Sequence, residues 1–253
     1  MTEILVEACV DSVESAVAAQ EGGAGRIELC DNLVEGGTTP SAGTIAACRA
    51  RLTIPIFVMI RPRGGDFLYS DIEREVMRHD IEQAHRLGAD GVVYGALKPD
   101  GSLDAGGLED LIAQSQGLGV TFHRAFDVCR DPAATLEQLI ELGVQRVLTS
   151  GQLPKAEAGV AAIAGFVRQA RGRIGILAGG GVNEDNAVRL VAETGVREIH
   201  VRGTVKRPSA MAYRNTQVPM GAAYTPDEFV LTVTDASRIR ATVERVREAG
   251  SGS

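Results

Sequence analysis

The chain has 253 residues, 44% hydrophobic and 23% charged, with a formal net charge of −7. That length and balance can bury a substantial core and exclude wholesale disorder, while the acidic balance argues against a nucleic-acid partner. No apolar run reaches the ~18 residues of a membrane span, and the N-terminal MTEILVEACVDS lacks the basic-then-apolar order of a signal peptide, so neither membrane association nor export is expected.

Short β-rich runs alternate with helical patterns along the chain. Strands are predicted at 4–9, 26–30, 54–61, 91–94, 120–123, 146–149, 174–178 and 198–202, at the spacing of one strand–helix unit. Asp11, Thr39, Asp71 and Asp131 are candidate helix N-caps, with Pro40 and Pro132 behind two of them. Gly23, Gly88, Gly143 and Gly195 each begin a Gly-[Ala/Val]-x-x-[Ile/Val] repeat that opens an even-numbered strand. The pattern reads as a helix-ending glycine in the left-handed conformation. Four copies at alternate strands fit an eightfold TIM barrel, an α/β fold of paired units; a doubly wound sheet is the alternative. One domain over 1–249 is expected, with a last helix at 235–248 and a disordered tail at 250–253. Two long loops, 31–39 after strand two and 203–228 after strand eight, would lie on the C-terminal face of a barrel, where sites are built.

Parallel barrel strands normally read as continuous apolar runs. Here strands one, two, three, five and eight alternate instead, which turns Glu7, Arg26, Glu28, Arg61, His123, Glu198, His200 and Arg202 toward the barrel interior. Buried unpaired charge costs several kcal/mol, so these groups must pair or hold a ligand. Arg26 and Glu198 start their strands, and ion pairs that close the bottom rim are the favoured reading for these two. Glu7, Glu28, Arg61 and His123 stand at strand ends.

Glu7-Ala8-Cys9 and Glu28-Leu29-Cys30 each put a carboxyl and a thiol on one strand face, and the two strands should be neighbours. Two thiolates suit Cu(I); the competing reading is that both cysteines are small buried fillers. Cys129 is a further thiol near the same rim, and Cys48 is expected in the core. All four are read as reduced. Arg61 and Arg63, beside Gly64-Gly65, form a candidate anion clamp. His123 is the candidate acid-base group, with Asp127 placed to orient it, whereas His200 is read as a hydrogen-bonded core histidine. Gly179-Gly180-Gly181 ends strand seven and is expected to open a helix that binds phosphate, with Ser150 nearby. No lysine lies on a predicted strand, which disfavours imine chemistry.

Several strings together resemble one family. Arg26-Ile27-Glu28-Leu29-Cys30, the loop 35–41, Arg61-Pro62-Arg63-Gly64-Gly65-Asp66-Phe67, Thr121-Phe122-His123-Arg124-Ala125-Phe126-Asp127 and Tyr213-Arg214-Asn215 resemble the CutC copper homeostasis family, over about residues 3–245. The resemblance implies a cytoplasmic TIM barrel that handles copper and forms a homo-oligomer, a dimer favoured. By position it implies Cys9 and Cys30 as copper ligands and Glu7, Arg26, Glu28, Arg61 and His123 as a polar barrel cluster. Met211 and Met220 are possible soft ligands, with packing the favoured role.

Two functional readings follow. In the first, copper binds at Cys9 and Cys30. In the second, the barrel is an enzyme for a small anionic metabolite. Arg26, Arg61, Arg63, Arg202, Ser150 and the Gly179, Gly180 and Gly181 amides hold the anion, while His123 works with Glu7, Glu28 or Asp127 in proton transfer.

Overall fold

Eight parallel strands close on themselves in the order β1 to β8, each hydrogen-bonded to the next and β8 back to β1. The computed structural model describes residues 4–215, 217–218 and 227–251. The strands are β1 (Leu5–Val10), β2 (Arg26–Leu29), β3 (Ile56–Met59), β4 (Gly91–Tyr94), β5 (Gly119–Phe122), β6 (Arg146–Thr149), β7 (Gly175–Val182) and β8 (Glu198–Val201). The helices are α1 (Val13–Glu21), α2 (Ala42–Arg49), α3 (Asp71–Arg86), α4 (Ala105–Gln114), α5 (Pro132–Glu141), α6 (Val160–Ala170), α7 (Ala187–Thr194) and α8 (Ala236–Ser251). This is the TIM barrel that the strand spacing predicts. No helix among the described residues is long and apolar enough to cross a membrane.

Local signals explain most boundaries. Gly23, Gly88, Gly143 and Gly195 all take positive φ, from 74° to 88°, as the four-copy repeat requires. Asp131 caps α5, with Pro132 in the first turn. The other three caps fall on a neighbouring serine, Ser12, Ser41 and Ser70, rather than on Asp11, Thr39 and Asp71. At Ser70 a full capping box forms with Glu73.

Three segments depart from the expectations set by sequence. β7 continues through the glycine run to Val182, and α7 starts only at Ala187, so Gly179–Gly181 do not open a helix. The loop after strand eight begins and ends in an antiparallel pair, β9 (Thr204–Pro208) with β10 (Val230–Thr234), matched from Thr204↔Thr234 to Pro208↔Val230. The last helix runs to Ser251, so the first two residues of the expected disordered tail close a helix; residues 252–253 lie outside those described.

The barrel wall separates two apolar clusters. Outward-facing Val6, Ala8, Ile27, Leu29, Val58, Val92, Phe122, Val147 and Ile199 join the helices in the main core. Cys9, Cys30, Phe57, Met59 and Val93 form a second, small cluster inside the barrel. The interior is therefore divided: charged where β1, β2 and β8 meet, apolar around Met59 and Val93. A Cβ on Gly91 would stand 2.5 Å from the Phe57 ring, so glycine there makes room for it.

Candidate functional site

The strand register builds the polar half of the interior in layers. Glu7 lies level with Arg26 on one side and with His200 on the other, and Cys9 lies level with Glu28. In the lower layer, Arg26 Nε meets Glu7 Oε2 at 2.5 Å and Arg26 Nη2 meets Glu198 Oε2 at 2.6 Å. Arg146 Nε reaches the same Glu198 oxygen at 2.6 Å. Both guanidiniums stack on the Phe57 ring, at 4.9 and 5.2 Å. Burial alone would raise the Glu7 pKa, but Arg26 and His200 outweigh it and hold Glu7 at about 2.

His200 links this layer to the one above. Its Nδ1 is 2.8 Å from Glu7 Oε1, and its Nε2 is 3.7 Å from Glu28 Oε2. Burial opposes charging the ring, but Glu28, Cys9 and Glu7 overcome that and push its pKa well above the usual histidine value. Glu28 is pushed up, chiefly by burial. Cys30 Sγ donates to Glu28 Oε2 at 3.5 Å. The ligand atoms of Cys9, Glu28 and Cys30 all lie within 4.8 Å of one another, and those of Glu7, Glu28 and His200 do likewise. The thiols act as a pair: the neighbouring Cys30 thiol, and then His200, favour a Cys9 thiolate, while Cys30 keeps its proton more tightly.

Above these groups lies a cavity of about 520 Å³ at the C-terminal mouth. Cys9, Glu28, Arg61, His123, Gly180, Gly181, His200 and Arg202 line it, against an apolar wall that includes Leu33, Met59, Phe67 and Leu148. With Asp127, which also lines it, the cavity thus gathers eight of the residues singled out from sequence, together with His200. Met211, the described one of the two methionines, is 60% exposed and does not pack; Met220 lies outside the described residues.

Other sequence assignments need correction. Arg26 does not reach the cavity, because its donors are engaged by Glu7 and Glu198, the ion-pair arrangement its place at the strand start also allowed. Glu7 lies beneath the cavity and positions His200. Arg63 turns away: its nitrogens bond Glu73, Asp66 and the carbonyls of Gly64, Asp66 and Leu68. Asp127 does not orient His123. It accepts from Arg124, Thr149, Ser150 and the Gln152 amide, a knot that also removes the fully buried Ser150 from any ligand. Gly179 is covered, since a Cβ there would stand 2.5 Å from Leu148. Cys129 is buried beside Thr135 and Asp131, outside the cavity lining.

Arg61 has a double position. Nη1 donates to the carbonyls of Glu35 and Gly37 and Nη2 to that of Gly65, so it staples the loops after β2 and β3 together at the cavity rim. His200 is the residue whose importance sequence reasoning missed, although its inward alternation was visible. Asn183, Arg124 and Arg238, also in the lining, carried no signal beyond their loop or helix positions.

Comparison with known proteins gives one consistent relationship. The model of the CutC family matches residues 4–205. A CutC family protein of Bacteroides thetaiotaomicron is 50% identical over 248 residues, 98% of this chain and 100% of the relative. A mouse (Mus musculus) protein described as a copper homeostasis protein cutC homolog is 51% identical over 236 residues, 93% of this chain and 87% of the relative. The crystal structure of a copper homeostasis protein CutC from Streptococcus agalactiae superposes with a TM-score of 0.76 at 38% identity, covering 78% of this chain and 98% of that one.

Proposed function

The chain belongs to the CutC family, and from that premise we propose that it serves copper homeostasis by binding Cu(I) through the Cys9 and Cys30 thiolates at the barrel mouth. The observation that carries this reading is the cluster of buried Cys9, Glu28 and Cys30 donors within 4.8 Å. Two sulfurs suit a soft monovalent ion better than a hard divalent one. Cys9 lines the cavity and offers the entry side, while Cys30 is covered by Gly37, whose Cβ would stand 3.1 Å from its sulfur.

The surroundings support a metal bound by two thiolates. Copper must displace the proton that Cys30 gives to Glu28, so uptake is coupled to proton release. The resulting anionic centre has cationic compensation close by, in His200 and in Arg202 at the rim. Glu28 sits within reach as an oxygen donor or as the acceptor of the displaced proton.

An anaerobic Cu(I) titration against a chromophoric chelator tests this. The wild type is expected to take up Cu(I) in roughly stoichiometric amount and the Cys9→Ser/Cys30→Ser variant to lose that uptake. Equal uptake by both overturns the ligand assignment. The same premise carries a reducing cytoplasmic setting, which keeps these thiols free, and a homo-oligomer, a dimer first, checked by light scattering.

A further inference from the structure

Four buried side-chain polar atoms among the described residues have no hydrogen-bond partner: Glu28 Oε1, Arg61 Nε, Tyr69 Oη and His123 Nε2. Glu28, Arg61 and His123 all line the same cavity, and they are 2%, 4% and 3% exposed. Buried polar groups normally find partners, so three unpartnered atoms around one cavity point to a ligand. Two thiolates holding a metal ion would satisfy neither Arg61 nor His123.

The hydrogen inventory gives the ligand its chemistry. His123 Nδ1 accepts the Ala125 amide at 3.2 Å, which leaves the ring hydrogen of a neutral imidazole on Nε2. Burial, with the Arg61 charge beside it, holds His123 at a pKa of about 3, so the ring is neutral at physiological pH. Its orientation is fixed: the ring stands 4.8 Å from that of Phe67, and a Cβ on Gly95 would lie 2.8 Å from it. Arg61 Nε, on a guanidinium that stacks over Phe67 at 5.0 Å and has the Tyr69 hydroxyl beside it, is a second donor without a hydrogen-bond partner. Two buried donors call for an acceptor, and the fixed charge on Arg61 calls for an anion. Glu28 Oε1 is the third free atom, suited to a hydroxyl, which can both donate and accept.

The charge balance favours a carboxylate over a phosphate dianion. Of the cavity's other cations, Arg124 is paired with Asp127 at 2.7 Å and Arg238 with Glu184 at 2.8 Å. Arg61 alone has a buried unpartnered donor. Arg202 is exposed at the rim, and its side chain makes no hydrogen bond or ion pair among the described residues; Glu35, held by Asn32, adds a rim carboxylate. We infer that the cavity binds a small hydroxycarboxylate, its carboxylate received by Arg61 Nε and His123 Nε2, its hydroxyl by Glu28 and its carbon skeleton by the Phe67 and Met59 wall. His123 acts in this site as a hydrogen-bond donor rather than as a base. The site shares Glu28 with the copper reading but does not rest on it.

The test is calorimetric titration of the full-length, copper-free protein with glycolate, lactate, malate and citrate, and separately with acetate and inorganic phosphate. At least one hydroxycarboxylate is expected to bind and to raise the melting temperature, with acetate weaker. His123→Phe keeps the ring against Phe67 but removes the donor, and is expected to weaken binding by at least about tenfold, the loss typical of a hydrogen bond to a charged group. Arg202→Gln, at an exposed position, is expected to weaken it less. The proposal is overturned if none of the hydroxycarboxylates binds, if phosphate binds and they do not, or if folded His123→Phe binds unchanged.

Discussion

Replacing Arg26 with methionine perturbs the electrostatic floor on which the site stands. Arg26 holds Glu7 at 2.5 Å and Glu198 at 2.6 Å. Glu198 keeps Arg146 at 2.6 Å in the variant, so the damage falls on Glu7, left with His200 alone. Arg26 and His200 together hold the carboxyl at about 2 rather than its ordinary 4.5, about 3 kcal/mol of stability at neutral pH in which Arg26 is the leading source. That agrees with the ~3–5 kcal/mol cost of breaking a buried pair, and at this size it lowers the melting temperature by roughly 6–12 °C. Urea unfolding at pH 7 of Arg26→Met, Glu7→Gln and the double variant measures it. Arg26→Met should lose about 3 kcal/mol, and the double variant should recover most of that, because glutamine leaves no buried charge. Glu7 has a depressed folded pKa, so its contribution is complete above about 4.5 and disappears as pH falls toward about 2; the gap between wild type and Arg26→Met should close over that interval. An Arg26→Met variant within about 1 kcal/mol of wild type at pH 7, or a double variant as unstable as the single, would refute the reasoning.

Further outcomes follow from the same geometry. His123 has a folded pKa of about 3 against an ordinary 6.5, so its contribution to stability is complete above 6.5 and is lost on acidification. Relative to His123→Phe, the wild type should lose about 1.4 kcal/mol per pH unit below 6.5, down toward pH 3, in denaturant titrations. Arg61→Lys cannot reproduce the fork that joins the carbonyls of Glu35, Gly37 and Gly65. Hydrogen exchange should quicken selectively in 31–39 and 62–68, with about 2 kcal/mol of destabilisation. The expected single domain over 1–249 should unfold in one cooperative transition by circular dichroism and calorimetry; two separated transitions would contradict it.

The barrel was legible because its signals are local and repeated: a glycine at each even strand's entry, and polar–apolar alternation where continuous apolar runs are usual. That alternation by itself also assigns Glu7, Glu28, Arg61 and His123 to the inner face. It does not distinguish residues lining the cavity from Glu7 and Arg26 in the layer beneath. Loop residues were harder. Arg63 lies two positions from Arg61, but past the strand end the alternation no longer sets direction, and the capping glutamate of α3 captures it. Asp127 looked like a partner for His123, yet the 3-10 turn Arg124–Val128 carries it to the end of β6. The β9–β10 pair was hidden because its strands are over twenty residues apart, and Thr204–Pro208 carries Lys206, Arg207 and a proline, poor strand signals. β7 was cut short because three glycines read as a turn. His200 was visible on the inner face; what sequence could not supply was its company, two carboxylates and a thiol from β1 and β2.

The most direct measurement of the central claim is X-ray absorption at the copper edge on anaerobically Cu(I)-loaded protein. The account predicts a coordination environment dominated by sulfur in the wild type, absent from Cys9→Ser/Cys30→Ser. A spectrum showing only nitrogen and oxygen neighbours, or sulfur neighbours that persist in that variant, would contradict it.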